Sequence, residues 1–392
     1  MIGLDILTHS RIDAFQRCRR YHYNAYVLGV RPPPTEPMRF GGVMHRCVEQ
    51  WHQNIADTDI LNWLTEHYGD LLRRVDDSTL RDILNYESMK VIHLFEGWIA
   101  RWWESRNNIV QAEITFEIPI LNPDTGQPTP TYRHAGKIDA IIKLEDGRLA
   151  VYELKTVGDA IGLGSDYWQS LQLDTQITRY MLAARKLGYD VSTVLYDVIR
   201  KPEISPCQIP VFDENGFKIV VGADDVRIYL KPGIPRQSAD KTQGWKLKTR
   251  TETPVEYGTR LRDDIAKRPE FYYARMEVPR LEHELDECSA ELWDIQRDIR
   301  AAELNNRHYL NPRSCRWPYR CPYLSCCVNR TDLTREVPEG FVRVETLHPE
   351  LENQNGSSTG NDPAEGDAAP ASSPCAAEEA GPGRSHPIAE SV

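Results

Sequence analysis

The segments Gly136–Lys143 (GKIDAIIK) and Leu149–Lys155 (LAVYELK), with the turn Glu145-Asp146-Gly147 between them, constrain this chain more than anything else in it. Both are rich in aliphatic and β-branched residues, and an Asp-Gly turn joins them, which predicts an antiparallel hairpin. Ile141, Ile142, Ala150, Val151, Tyr152 and Leu154 make the strands too apolar to lie in water, so they belong inside a larger sheet. Yet they carry Asp139, Glu153 and Lys155. Side chains alternate along a strand, so Glu153 and Lys155 share a face with Val151, while Tyr152 and Leu154 point to the other. The hairpin brings Asp139 towards Glu153. Two neighbouring carboxylates repel unless a cation stands between them, and buried charge is costly without a partner. A hard divalent metal such as Mg²⁺ suits such oxygen ligands, and a lysine beside it places positive charge near a phosphate oxygen. Asp, Glu and Lys on a hairpin are common surface residues; the apolar setting is what gives this set its weight.

The surrounding chain alternates helix and strand signals. Val91, Leu94, Phe95, Trp98, Ile99 and Trp102 fall at helical spacing, and Ile114, Phe116, Ile118 and Ile120 alternate as in a strand over 112–121. A turn-rich stretch, Asn122–Pro130, follows that strand. Residues 168–187 predict one helix and 192–200 another strand. Leu281, Leu285, Cys288, Leu292, Ile295, Ile299 and Ala302 step by four and three, predicting one long helix that packs on the body. The order β-β-β-α-β after a helical N-terminal third gives an α/β fold: a central mixed sheet flanked by helices, with helical additions at both ends. Residues 1–345 read as one domain, with a core at about 110–200, a helical part at 1–109, and C-terminal helices with a cysteine cluster at 250–330. Residues 346–392 read as a disordered acidic tail, because a segment so poor in apolar side chains cannot offset its ordering entropy.

Here the sequence resembles the PD-(D/E)XK nucleases, on their RecB-like branch. GKIDAII and VYELKT look like that family's G-x-x-D and E-x-K strands, with Ile138 where a proline is expected. Gly41-Gly-Val-Met-His45, expected to open a helix, resembles a motif whose histidine is a further metal ligand in relatives. Gln176-Ile-Thr-Arg-Tyr180 resembles the pair used near substrate and metal; Gln176 and Tyr180 share a helix face. Gln172 is a competing candidate. The resemblance implies a restriction-endonuclease-like fold and catalysis by Asp139, Glu153, Lys155, Gln176 and Tyr180. It also implies one or two Mg²⁺ or Mn²⁺ ions held by His45, Asp139, Glu153 and the Leu154 carbonyl. Water would attack a phosphodiester in line, leaving a 5′-phosphate and a 3′-hydroxyl. VLYDVIRKP and the stretch ETPVEYGTRLRDDIAKRPEFYYARMEVPRL are similar to phage-type members, a likeness covering roughly residues 5–330. Arg260 and Arg275 are candidates for DNA contact.

Four of nine cysteines crowd into residues 315–327, too unlike a disulfide framework to be read as one. Cys315, Cys321 and Cys327, each six apart, together with Cys18 in FQRCRRYHY, resemble the four-cysteine iron–sulfur site of RecB-like nucleases. The first gap departs from the family's spacing, and Cys326 is the alternative to Cys327. Four thiolates also suit zinc, although the paired C-x-x-C knuckles that zinc favours are missing. The ligation implied is a [4Fe-4S] cluster that clips the N-terminal helix to the C-terminal segment. Arginines and aromatics flank both halves, a composition that suits single-stranded DNA and equally a solvated face.

No apolar run reaches the length of a membrane span, and the N-terminus lacks the order of a signal peptide, so a cytoplasmic protein is expected, in the host cytoplasm if phage-encoded. The net charge of −11 argues against a broad basic wrap around DNA, but residues 351–392, with seven acidic residues and one arginine, supply −6 of it. The leading reading is a metal-dependent DNA nuclease, and the resemblance implies an exonuclease in phage or mobile-element recombination and repair. It would act on single strands or duplex ends, with a helicase or recombinase as partner. The alternatives are a catalytically silent DNA-binding or assembly protein and an iron–sulfur redox protein. The first has no chemical need for Asp139, Glu153 and Lys155 together, and the second leaves the hairpin unexplained.

Overall fold

The computed structural model describes residues 4–317 and 319–351. Of the tail expected from 346 onward, residues 352–392 lie outside the described residues. Residues 346–351 belong with the body: the rings of Tyr26 and His348 stack at 5.8 Å, and Arg31 donates to the Leu347 carbonyl at 2.9 Å.

Strand β1 (Asp5–Leu7) leads into α1 (His9–Arg17), whose first turn is capped by the Thr8 hydroxyl accepting from the Arg11 amide. After short helical turns at Arg19–His22 and Tyr23–Val27 come the longer helices α2 (Glu36–His52), α3 (Asp57–Arg74) and α4 (Ser78–Trp102). The sheet-forming part contains β2 (Ile109–Leu121), β3 (Pro128–Lys143), β4 (Leu149–Val157), α5 (Asp166–Leu171), α6 (Thr175–Lys186) and β5 (Val191–Arg200). After short two-stranded pairings within 207–251 come α7 (Pro254–Lys267), β6 (Tyr273–Pro279) and α8 (Glu282–Leu304).

The six strands form one mixed sheet in the order β1-β3-β4-β5-β6, with β2 along the other edge of β3. β1 is parallel to β3 and β4 to β5; the other pairings are antiparallel. Helices flank this sheet, so the restriction-endonuclease-like architecture expected from the sequence is the one observed. On one face Val91, Leu94, Phe95 and Trp98 of α4 pack with Trp51 of α2, Leu261 of α7 and Ala140, Tyr152 and Leu154 of the hairpin. On the other, Ile177, Met181 and Ala184 of α6 and Leu285 of α8 pack on Ile141, Val151 and Val194. Further along α8, Leu292 and Ile299 join Leu7, Ile12 and Phe15, which fixes α1 to the body.

One topological detail makes the site. β3 pairs with β1 through Tyr132, Arg133 and His134, and its ladder to β4 begins at Ala140. β2 meanwhile holds the opposite edge of β3. The sheet therefore forks between 134 and 140, and residues 135–139 line the fork. Side-chain alternation also slips there: Ile138 packs on the α6 face and Ala140 on the α4 face, with Glu113 of β2 at a positive φ of 56° beside them.

Two local expectations need correction. Residues 168–187 are two helices, because the Asp174 side chain accepts from the Gln176 amide at 2.8 Å and starts a new helix there. Gly41 does not open the His45 helix, which begins at Glu36 with Pro37 in its first turn. Gly41 lies inside it, where a Cβ would stand 3.1 Å from Thr156 Oγ1, so glycine lets α2 close on β4.

Candidate active site

The fork opens into a cleft of about 250 Å³ lined by α2, β2, β3, β4, α6 and the start of α1. Glu153 and Lys155 project from β4 on the face opposite Tyr152 and Leu154, as alternation requires. Lys155 Nζ donates to Glu153 Oε1 at 2.8 Å and to Gln176 Oε1 at 2.6 Å, and Gln176 Nε2 donates to Tyr180 Oη at 3.0 Å. Asp139 accepts from the Leu154 amide at 2.9 Å, a side chain taking the place of the main-chain partner the fork removes. His45 Nδ1 lies 3.6 Å from Asp139 Oδ2. Asp139, Gln176, Tyr180, His45 and Leu154 line the cleft, and Glu153 and Lys155 are joined to it through Gln176. Gln172 is not part of it: it is exposed at the end of α5.

Burial sets the electrostatics. It raises Glu153 to about 7, against the pull of Lys155, with Asp139 adding to the rise. It raises Asp139 to about 6, against the Leu154 amide and Lys155. His45 is lowered to about 4, again by burial first, so at neutral pH it is an uncharged imidazole and its contact with Asp139 is not an ion pair. Its side chain keeps 39% of its surface and that of Asp139 24%, because both open onto the cleft while protein walls surround them. Burial alone would lower Lys155, but Glu153, Asp174 and Asp139 outweigh it and keep the ammonium charged. Glu153 and Asp139 thus crowd around Lys155, which stays cationic between them. Among the described residues, Glu153 Oε2 is buried with no hydrogen-bond partner.

That orphaned oxygen, the two raised carboxylates, a neutral imidazole and a nearby carbonyl form a donor set that fits a hard divalent cation. Among the described residues, no three His, Cys, Asp or Glu side chains are already drawn together as a metal cage. The cation would have to complete the gathering itself.

The cleft also contains residues that the sequence reading missed. Glu49 lies one turn beyond His45 on α2, a spacing that could have flagged it. Lys137 lies two residues before Asp139, pairs with Glu113 and stands 3.9 Å from Glu49. Glu113 had no sequence signal, since its positive φ breaks the strand alternation. Thr8, His9 and Ser10 reach the cleft from the far end of the chain. His9, lowered to about 4 by burial and by Arg179, accepts from Arg179 at 2.9 Å.

The two arginines offered for DNA contact are otherwise engaged. Arg260 pairs with Glu252. Arg275 donates to buried Asp197 at 2.7 and 2.9 Å, and the same Asp197 oxygen accepts from Trp98 and Tyr152. That network anchors Tyr152 behind the sheet, one residue from Glu153.

Gly136 makes a direct test of the packing under the site. A Cβ there would stand 2.7 Å from Phe116 Cζ and 3.4 Å from Tyr180 Cε1, and Phe116 is buried. Gly136→Ala is expected to cost about 1–3 kcal/mol in urea unfolding, as overpacking does, and to lower activity by displacing Tyr180. Unchanged stability would mean that the two rings are less closely seated.

The cysteines come together at the other end of α1. Burial raises the Cys327 thiol to about 11, with Cys321, Cys18 and Cys315 adding to the rise and Arg20 opposing it. The Asn311 amide donates to Cys18 Sγ at 3.4 Å. Cys326 instead packs among Ala25, Tyr26, Val30 and Tyr323. As at the cleft, the described thiols do not form a closed cage.

A mixed sheet between helices, opening at a forked strand onto buried carboxylates, is the restriction-endonuclease-like class of fold. The family model of the PD-(D/E)XK nuclease superfamily matches residues 6–328, and the chain belongs to that superfamily. Membership makes it a metal-dependent nuclease, a phosphodiester hydrolase acting on DNA. No curated protein matches the sequence. Among solved structures, one titled "Crystal structure of SSO0001" is 15% identical, covering 60% of this chain and 94% of that one. Its TM-score of 0.19 is too low for that likeness to bear on the fold. Among the described residues no helix is long and apolar enough to cross a membrane.

Proposed function

We propose that this chain is a RecB-like DNA exonuclease whose catalytic groups are Asp139, Glu153, Lys155, Gln176 and Tyr180. The observation that carries the reading is the hydrogen-bonded line Glu153–Lys155–Gln176–Tyr180, whose Gln176 and Tyr180 line the cleft together with His45 and Asp139. Asp139, Glu153, His45 and the Leu154 carbonyl would hold Mg²⁺ or Mn²⁺. When bound, that ion supplies Lewis acidity to the phosphate and lowers the pKa of water. Lys155, kept cationic by its carboxylates, stabilises charge building on the phosphate oxygens. Gln176 fixes the position of the lysine, and Tyr180 fixes that of Gln176. Neutral His45 has a lone pair to give.

Residues 1–345, with 346–351 packed on them, make up the proposed nuclease domain, and Cys18, Cys315, Cys321 and Cys327 its [4Fe-4S] ligands, with zinc as the alternative metal. A structural staple is the role proposed for that cluster. The biological setting proposed from the phage-type resemblance is recombination or repair in the host cytoplasm, on single strands or duplex ends delivered by a helicase or recombinase.

End-labelled single- and double-stranded DNA incubated with Mg²⁺, Mn²⁺ or EDTA tests the reading. Shortening from an end, supported by either metal and stopped by EDTA, is expected. Internal cuts in a circular single strand would replace exonuclease by endonuclease, and no cleavage of any DNA would remove the enzyme reading.

A pH dependence follows from the raised carboxylates. The native, metal-free state keeps protons on Glu153 and Asp139 that the unfolded chain releases near its ordinary carboxylate values. Their contribution to stability is therefore complete below about pH 4 and is lost as pH rises through about 7. The melting temperature in EDTA should fall over that window, and Mn²⁺ should restore it more strongly at high pH. A metal effect that is equal at pH 5.5 and pH 8 would disprove the linkage.

A further inference from the structure

The ends of the cysteine staple carry a surface that the nuclease site does not use. In a protein of net charge −11, residues 14–31 and 305–330 contain nine arginines and no Asp or Glu. The fold brings these two segments together. Arg17 lies 4.2 Å over the Tyr319 ring, and its guanidinium reaches the Ser314 and Tyr319 carbonyls. Arg19 lies 4.7 Å over the Tyr309 ring, and Arg20 donates to the His308 carbonyl at 2.8 Å. Around these interleaved pairs Arg313, Arg316 and Arg320 are exposed. Among the described residues, Arg19 alone of these six has a carboxylate partner, Asp298 at 3.5 Å. Trp317 is 78% exposed, and Tyr309 and Tyr319 are each 60% exposed. Exposed guanidinium groups with few carboxylate partners, set among exposed aromatic rings, match a polyanion whose flat groups are free to stack. That description fits a single nucleic-acid strand, and neither an acidic peptide nor duplex DNA offers unstacked bases.

Position ties the patch to the cleft. Thr8, His9 and Ser10 at the start of α1 line the nuclease pocket, and Cys18 follows its last residue. Nine helical residues span about 14 Å, so a strand leaving the cleft along α1 meets the patch within a few nucleotides.

We propose that the Arg/aromatic surface around the cysteine staple, centred on Arg316, Trp317 and Arg320 and flanked by Tyr309 and Arg313, is a docking platform for single-stranded DNA. It holds the strand whose end lies in the nuclease cleft. The inference rests on the DNA nuclease reading, and its test is made by binding alone, without cleavage.

Anisotropy of fluorescein-labelled dT12 with the full-length protein in EDTA, over a range of salt, reads the platform. Trp317→Ala is expected to weaken binding by about 5- to 100-fold, the usual loss for one stacked base. Arg316→Glu with Arg320→Glu is expected to lower the slope of log K against log salt by at least about one. Because those arginines neighbour cysteines, Arg313→Glu with Tyr309→Ala forms a second pair, accepted when melting temperature and metal content match the wild type. A blunt duplex of equal length should be nearly insensitive to Trp317→Ala. Affinity and salt slope within twofold of wild type in both sets would overturn the platform, and so would equal losses on duplex. Wild type that binds dT12 through the patch but cleaves no DNA would leave the platform standing and remove the nuclease reading instead.

Discussion

Lys155→Ala is expected to lower the metal-dependent hydrolysis rate by about 10²–10³ or more, the usual effect of deleting one preorganised charge-stabilising group. Glu153→Gln is expected to do the same. The two substitutions should fail for different reasons. Lys155 is the fixed cation of the cleft, bonded to Glu153 and Gln176, and its loss leaves Glu153 buried with neither oxygen paired. That strengthens the appetite of the site for a metal ion while removing the charge aimed at the phosphate. Glu153→Gln keeps the shape but removes one of two carboxylates, so metal affinity falls along with rate. Mn²⁺ titration should therefore show Lys155→Ala binding metal at least as well as wild type, and Glu153→Gln binding it more weakly. Breaking a buried ion pair can cost about 3–5 kcal/mol, so each variant is read only where circular dichroism shows it folded. Hydrolysis that survives both changes in folded protein would place the chemistry elsewhere.

Much of this site was legible because a hairpin obeys a period of two. Asp139, Glu153 and Lys155 could be put on strands, and Glu153 and Lys155 on one face, from apolar alternation and one Asp-Gly turn. The long stripe of α8 was equally plain. The fork was not. Pro128 and Pro130 sit in a stretch that reads as a turn, yet β3 starts there and pairs with β1. Pairing with a three-residue strand from the far N-terminus is a tertiary event with no local signature. For the same reason Thr8 and His9 were invisible as parts of the cleft. The break at Asp174 did have a signal, an Asp followed by Thr-Gln, but Trp168, Leu171, Ile177 and Met181 continue a helical spacing across it. Arg275 shows the opposite failure. Its charge suggested DNA, whereas its neighbours Asp197, Trp102 and Ser105 make it a half-buried strut.

The second large effect is expected at the other end of α1. The proposed ligand site of Cys18 with Cys315, Cys321 and Cys327 would close a loop of roughly 300 residues, and the entropy removed from the unfolded chain by such a closure is about 5–6 kcal/mol. Cys18→Ser or Cys321→Ser should therefore strip the metal and destabilise the whole protein by several kcal/mol, not merely the local segment. Cys326→Ser supplies the contrast. Cys326 is buried among Tyr26, Val30 and Tyr323 and is not one of the proposed ligands, so its loss should cost about 1–3 kcal/mol of buried-polar penalty and leave the metal in place. Protein purified without oxygen should be brown and contain iron and sulfide, with both lost in Cys18→Ser and retained in Cys326→Ser. Zinc in colourless protein would keep the staple and change the metal. Full metal content in Cys18→Ser would break the link between the two ends of the chain, and with it the reason for a large global loss of stability.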